Sequence, residues 1–275
     1  MPRCTIMMET FPAAAWPTRS ALGRDIELIR ITARRALLAR YRGTAFGILW
    51  AFGNPVMMTV LYSALFGTAF QGYYGSTVRY MLAAFTGVLV VTFFLQATAD
   101  GLVSIVSNGG LLNKIAIRPV VFPLASVFAN AFQQAVTTVP VLLVLSIVVA
   151  KDPLRILLLP FVLIAVFALT TGVSLLLATL FVFFRDLPHL WAIVGFMLWM
   201  TSPVFYPAEL VPPAIRPWLA LNPLGQAVSA VRDLVLGAGP IHGAPILMTC
   251  VSGVVALTLG FAVLVWRETQ FLDLL

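Results

Sequence analysis

The sequence predicts an all-α integral membrane protein that crosses the bilayer six times. Hydrophobic residues make up 61% of the 275 residues and charged residues only 10%, whereas a soluble domain carries about 25% charged residues. Six apolar segments approach or exceed the roughly 20 helical residues that span a hydrocarbon core, where a helix pairs its own backbone groups. They are residues 45–70, 81–99, 120–149, 156–182, 189–206 and 244–266.

The segment before the first span predicts a basic helix at the membrane surface. Residues 1–19 contain Pro12 and Pro17 and no apolar signal core, so we expect an N-terminal tail. Residues 20–43 carry apolar side chains at three- and four-residue steps, which is typical of an amphipathic interface helix. This helix either anchors the chain or also contacts a cytoplasmic partner. Its candidate headgroup-facing cations are Arg30, Arg34, Arg35, Arg40 and Arg42.

The distribution of basic residues predicts the orientation of the chain. With a cytoplasmic N-terminus, 12 of the 17 Lys and Arg residues lie on the cytoplasmic side and five lie outside. The positive-inside rule therefore favours cytoplasmic termini, with a transmembrane domain at 44–267 and a tail at 268–275. The formal charge of +7 is concentrated beside one span, so it indicates topology rather than nucleic-acid binding.

Two connections between spans have unusual composition. In the second-to-third connection, Asn108-Gly109-Gly110 is expected to stop a helix, and a short apolar piece with Lys114 and Arg118 follows. A short helix between two breaks suits docking into another protein. The fifth-to-sixth connection, residues 207–243, remains apolar, which predicts two short helices that dip back into the outer leaflet under a cover of protein.

Neutral polar and aromatic side chains within the spans have two interpretations. As ordinary features, they would join helices or form an aromatic belt at the membrane surface. Alternatively, they would line a path in which ring faces stack on sugar C–H groups and no fixed charge traps the solute. The candidates are Tyr62, Phe66, Phe70, Asn130, Gln134, Trp199, Phe205 and Tyr206.

The sequence lacks the common motifs of covalent chemistry. It contains no G-x-x-x-x-G-K-[ST] phosphate loop, no H-E-x-x-H motif and no nucleophile elbow. Cys4 and Cys250 do not suggest a disulfide framework. We therefore expect no cofactor on this chain and no enzymatic activity. If it moves a solute actively, another polypeptide must supply the energy.

Five segments, in order, resemble the type-2 ABC transporter permeases that export bacterial polysaccharides. They are RYRGTAFGILWAFGNPVMMTVLYSALFG, NKIAIRPVVFP, FVFFRDLPHLW, MTSPVFYP and LNPLGQAVSAVRDLVLG, and the resemblance covers residues 24–267. It implies a bacterial plasma-membrane permease that pairs with a second copy and with two ABC ATPase subunits. Those subunits would bind ATP and Mg²⁺, and the cargo would be a lipid-linked polysaccharide.

The resemblance also implies roles for particular residues. The basic helix would lie at the inner leaflet near the substrate, and residues 207–237 would form a re-entrant hairpin that caps the channel. The helix that couples the permease to the ATPase would include Leu111, Leu112, Asn113, Lys114, Ile115 and Arg118. Two alternatives remain: a permease of this type for a small lipid or drug, and a passive channel or scaffold without an ATPase.

Overall fold

The computed structural model describes residues 21–112, 117–237 and 239–271, and every regular element in them is helical. The all-α prediction is therefore confirmed for this part of the chain. The helices are α1 (Ala21–Tyr41), α2 (Trp50–Tyr74), α3 (Thr77–Ser107), α4 (Gly109–Leu112), α5 (Val121–Leu145), α6 (Pro153–Phe183), α7 (Leu187–Thr201), α8 (Arg216–Ala220), α9 (Pro223–Leu236) and α10 (Gly243–Arg267).

Five of the described helices are long and apolar enough to cross a membrane. These are α2, α3, α5, α6 and α10, with α2 extended by a 3₁₀ turn at Gly47–Leu49 and α5 by a π-helical turn at Ser146–Ala150. They match five of the six predicted spans. The helix α3 has 31 residues and is much longer than the predicted span at 81–99. That prediction stopped at the first charged residue, Asp100, whose carboxylate is paired inside the fold and does not end the helix.

The helix α7 corresponds to the predicted fifth span but ends earlier than expected. It has 15 residues, which gives a length of about 22 Å, shorter than a hydrocarbon core of about 30 Å. The helix ends at Thr201, and Ser202 has an extended backbone with φ −80° and ψ 131°. Pro203 follows, and a proline disfavours helical backbone in the residue before it. Residues 202–206 are therefore not helical.

The helix α3 lies at the centre of the bundle and contacts α2, α5, α6 and α9. Its buried face includes Val88, Leu89 and Phe94, which belong to one apolar core with residues from α6 and α9. The helix α9 is the most deeply enclosed short element, because Val228, Val231 and most of its other apolar side chains are fully buried.

The helices α6 and α10 form the closest helix pair through glycines. A Cβ atom added to Gly172 would lie 2.1 Å from the carbonyl carbon of Ala256, and one added to Gly253 would lie 2.6 Å from the carbonyl oxygen of Ala165. Only a residue without a side chain fits at such distances. Small residues that allow helix backbones to approach closely are typical of interfaces between membrane helices.

The carboxyl ends of α3, α6 and α10 meet at one end of the bundle. Ile105, Val182 and Leu264 pack there with Phe271, which follows α10 and is 1% exposed. The helix α1 packs across α5, with Ala33 against Ala125 and Ala129. The basic segment, the connection after α3 and the segment after α10 are thus attached to the same part of the molecule.

Candidate functional site

The last turn of α1 is fixed to α3 and α5 by a polar network around Arg40. One terminal nitrogen of Arg40 contacts the Asp100 carboxylate of α3. The other donates to the side-chain oxygens of Asn130, at 2.9 Å, and Gln133, at 3.1 Å, both on α5. Asn130 also donates to Asp100 at 2.9 Å. Asp100 is therefore paired, and a basic residue of α1 is bound into the bundle.

Tyr41 supports the same network. Its hydroxyl donates to the side-chain oxygen of Gln133. Burial raises the pKa of the Tyr41 phenol, although the neighbouring Arg40 acts in the opposite direction. The hydroxyl therefore keeps its proton at neutral pH and remains a donor. By contrast, Arg30, Arg34, Arg35 and Arg42 are exposed and leave a basic face on this segment.

Asn130 and Gln134, two of the predicted channel residues, use their amide groups inside the protein. Asn130 is 3% exposed and also donates to the carbonyl of Ser126 at 2.9 Å. Gln134 donates to the carbonyl of Leu89 at 3.2 Å and accepts from Thr138 at 2.8 Å. The bond to Leu89 connects α5 to α3, and the bonds with Ser126 and Thr138 lie within α5. Polar residues that join helices are expected to make such contacts.

A cavity of about 220 Å³ lies beside this network, between α1, α2, α3 and α5. Its wall combines amides, aromatic rings and one arginine. It is lined by Arg40, Tyr41, Trp50, Ala51, Asn54, Pro55, Thr92, Phe93, Gln96, Asn130, Gln133 and Gln134. The sequence analysis did not predict this cavity, because its lining residues come from four separate helices.

Five of the predicted aromatic residues form a continuous aromatic row, defined here as Tyr62, Phe66, Phe70, Trp199 and Phe205. The Tyr62 and Phe66 ring centroids are 6.0 Å apart and those of Phe66 and Phe70 are 5.8 Å apart. Tyr62 stacks on Phe205 at 3.6 Å, and Trp199 approaches Phe205 at 6.0 Å. Phe205 is buried, whereas Phe66 is 39% exposed, so the row is partly packed and partly open.

Tyr206 does not belong to the aromatic row. Its hydroxyl donates to the carbonyl of Met200 at 3.1 Å. It lines a separate cavity of about 200 Å³ with Pro203, Val211 and Arg216.

Three arginines hold α9 in place, and the sequence analysis had counted them only as loop charges. Arg155 has a side chain that is 2% exposed, and its Nη1 lies 3.0 Å from Oδ1 of Asp233. Arg232 donates to the carbonyls of Ala83, at 3.1 Å, and Val204, at 3.0 Å. Arg79 donates to the carbonyl of Leu236 at 2.8 Å. Each of these arginines therefore joins α9 to a neighbouring element.

The predicted coupling segment is only partly described. The helix α3 ends before Asn108 as expected, and Leu111 is partly exposed in the short helix α4. The Leu112 side chain and residues Asn113, Lys114 and Ile115 lie outside the described part of the chain. Arg118 lies 3.6 Å from Asp25 of α1 and 3.8 Å from Glu268 after α10. The far end of this segment thus joins three parts of the chain.

The sequence was compared with known proteins. It matches the family described as ABC-2 type transporter over residues 27–236. It is 23% identical to an O-antigen export system permease protein RfbA of Klebsiella pneumoniae over 92% of this chain and 97% of the relative. The corresponding protein of Myxococcus xanthus is 26% identical over 87% and 92%. The capsule polysaccharide export inner-membrane protein CtrC of Neisseria meningitidis serogroup B is 23% identical over 75% and 78%.

Proposed function

The chain belongs to the ABC-2 type transporter family, and from this premise we propose that it is the permease subunit of an ATP-driven exporter of lipid-linked polysaccharide. The observation that carries the proposal is the extent of the similarity: a permease named for O-antigen export aligns with 92% of this chain. The cargo proposed is an O-antigen-like, teichoic-acid-like or galactan-like polymer.

The protein is a multi-pass membrane protein, and we propose that α7 supplies the sixth crossing. Although α7 is short, residues 202–206 continue from it and Val204 and Phe205 are buried in the core, so protein covers their non-helical backbone. An even number of crossings leaves both termini on one side, which the basic residues of α1 assign to the cytoplasm. In this arrangement α1 lies at the inner leaflet and α8 and α9 form a re-entrant hairpin at the outer side.

The ATPase is proposed to dock where Arg118 joins α1 to the segment after α10. A movement of the ATPase at this position would be transmitted to α1 through Asp25 and to α10 through Glu268. It would then reach α3 and α5 through Arg40, Asp100 and Asn130. ATP and Mg²⁺ are assigned to two separate ATPase subunits, because this sequence has no phosphate loop.

A second copy of the chain is proposed to complete the conduit. The helix α2 contacts mainly α3, and its other face exposes Met57, Leu61 and Leu65. Three members of the partly open aromatic row, Tyr62, Phe66 and Phe70, lie on the same helix. Two copies facing each other through α2 and α7 would enclose a path with aromatic walls, while lipids cover the remaining apolar surface.

The proposed function is tested by deleting the gene in its native host and restoring it on a plasmid. Deletion should remove a surface polysaccharide and cause its lipid-linked form to accumulate inside the cell. The purified chain alone should hydrolyse no ATP, whereas the complex with its co-encoded ATPase should do so. Unchanged surface polymer together with altered efflux of a small lipid or drug would instead support the alternative within the same family.

A further inference from the structure

We propose that the cavity between α1, α2, α3 and α5 binds one uncharged sugar residue of the lipid-linked substrate. This inference rests on the proposed function and deepens it, because it assigns a position for the substrate near the inner leaflet. The cavity is next to the bound end of α1, where Arg40 enters the bundle.

The size of the cavity suits a single monosaccharide. Its volume is about 220 Å³, smaller than the roughly 300–1,000 Å³ that encloses a drug-sized molecule. An oligosaccharide would not fit inside it. A single ring could enter while the rest of the polymer remains in the larger conduit.

Two amides in the wall have no hydrogen-bond partner among the residues that the structure describes. Asn54 on α2 and Gln96 on α3 are both exposed, and neither makes a side-chain hydrogen bond to any described residue. Both lie on helices proposed to cross the membrane, where an unpaired amide is unfavourable. An amide donates and accepts, and so does each sugar hydroxyl, so adjacent hydroxyls would satisfy these groups.

The charge of the wall favours a neutral ligand over a phosphate. Arg40 is the one cation among the lining residues, and its terminal nitrogens already contact Asp100, Asn130 and Gln133. A phosphate would have to displace Asp100 from Arg40 and then remain close to that carboxylate. A hydroxyl group has no such conflict.

Aromatic side chains complete the site. Trp50 lines the cavity, is 59% exposed and is held edge-on by Phe46 with ring centroids 5.8 Å apart. Tyr41 and Phe93 also line it. Their large apolar faces can cover the C–H face of a pyranose while the amides bind its hydroxyls.

The test is a binding titration on the full-length protein in lipid nanodiscs. The probes are octyl β-D-glucopyranoside and octyl β-D-galactopyranoside below their micellar concentrations, with octyl phosphate as the charged probe of equal chain length. Trp50 fluorescence reports binding, and Trp50→Phe protein provides the background. We expect a saturable change with at least one glycoside and none with octyl phosphate.

Variants of the two amides identify the site. Asn54→Leu and Gln96→Leu should each weaken glycoside binding by about 3- to 10-fold, the loss expected for one hydrogen bond. Gln71→Leu on the same helix α2, outside the cavity, is the matched control and should bind normally. If a leucine variant does not fold, Asn54→Ala and Gln96→Ala replace it.

Three outcomes would overturn the inference: saturable binding of octyl phosphate that depends on Arg40, glycoside binding that both amide variants retain, or no saturable signal in any folded protein. Each of these can occur while the chain still exports polymer, which would leave the proposed function intact. Loss of the proposed function would instead be seen in the gene deletion, which does not depend on this cavity.

Discussion

The buried ion pair between Arg155 and Asp233 makes a quantitative prediction about how α9 is held. Arg155 also lies 3.4 Å from Asp152 and donates to the backbone carbonyls of Asp233 and Gly239. Asp233 in addition accepts from the backbone N–H of His242 at 2.9 Å. Replacing Asp233 with alanine leaves the guanidinium buried with one fewer negative partner.

The magnitude follows from burial. Removing one partner of a buried ion pair costs about 3–5 kcal/mol, because the remaining charge stays desolvated. Asp152 and the carbonyls still contact Arg155, so we expect about 3 kcal/mol from the pair. The lost hydrogen bond to His242 adds about 1 kcal/mol. Asp233→Ala should therefore lower the free energy of unfolding by about 4 kcal/mol.

The assay is a double-mutant cycle of Arg155→Met, Asp233→Ala and the double variant, in which denaturant unfolding in mixed micelles measures each free energy of unfolding. The double variant leaves no buried charge unpaired, since Asp152 is 39% exposed, so it should cost less than the two single variants added together. The coupling free energy should lie near 2–3 kcal/mol, within the range for contacting residues. The longer pair of Arg118 and Asp25, 3.6 Å apart with Arg118 49% exposed, is the control, with an expected coupling of about 0–1 kcal/mol.

A coupling no larger than that of the control pair would refute this reasoning. It would mean that solvent reaches Arg155 and that the enclosed position of α9 depends on apolar packing alone. Loss of folded Arg155→Met protein would not block the test, because Arg155→Lys keeps the charge while losing the separate contacts of the guanidinium nitrogens with Asp152, Asp233 and Gly239.

Three further predictions follow from the packing and from the proposed roles. Gly172→Val should prevent stable folding, because the valine side chain would overlap the backbone of α10. The control Gly72→Ala has open space around it, so it should be at least as stable as the parent protein in thermal unfolding. Lys114→Glu combined with Arg118→Glu should preserve membrane insertion yet uncouple ATP hydrolysis from export, and normal export would exclude this segment from coupling. Phe66→Ala should slow export per assembled complex with little loss of stability, and an unchanged normalised rate would show that the ring only packs.

The long apolar helices could be predicted because membrane spans are a local property of the sequence. Their ends were less predictable, since a helix stops where its backbone geometry changes rather than where apolar residues end. The helix α3 continues past Asp100, whose carboxylate contacts Arg40 of α1. The helix α7 stops early because Pro203 follows Ser202.

The contacts of the site were less accessible to sequence analysis. Arg40 and Asp100 are separated by 60 positions, and Arg155 and Asp233 by 78. No periodicity links such residues, so Arg155 was indistinguishable from a solvated loop charge. Aromatic residues on α2 were predictable as a row because helical spacing places them on one face. Their contact with Phe205 depends on the path of the non-helical residues 202–206, which follow α7.

The glycine contact between α6 and α10 has a consequence for how force can pass through the molecule. Two helices whose backbones touch at Gly172 and Gly253 cannot slide past each other without separating first. They therefore act as a stator, a rigid part against which other parts work. The helix α2, supported mainly by α3, has no comparable restraint. Conformational changes driven by an ATPase would therefore move mainly the α2 side of the bundle, where the aromatic row and the sugar-sized cavity lie.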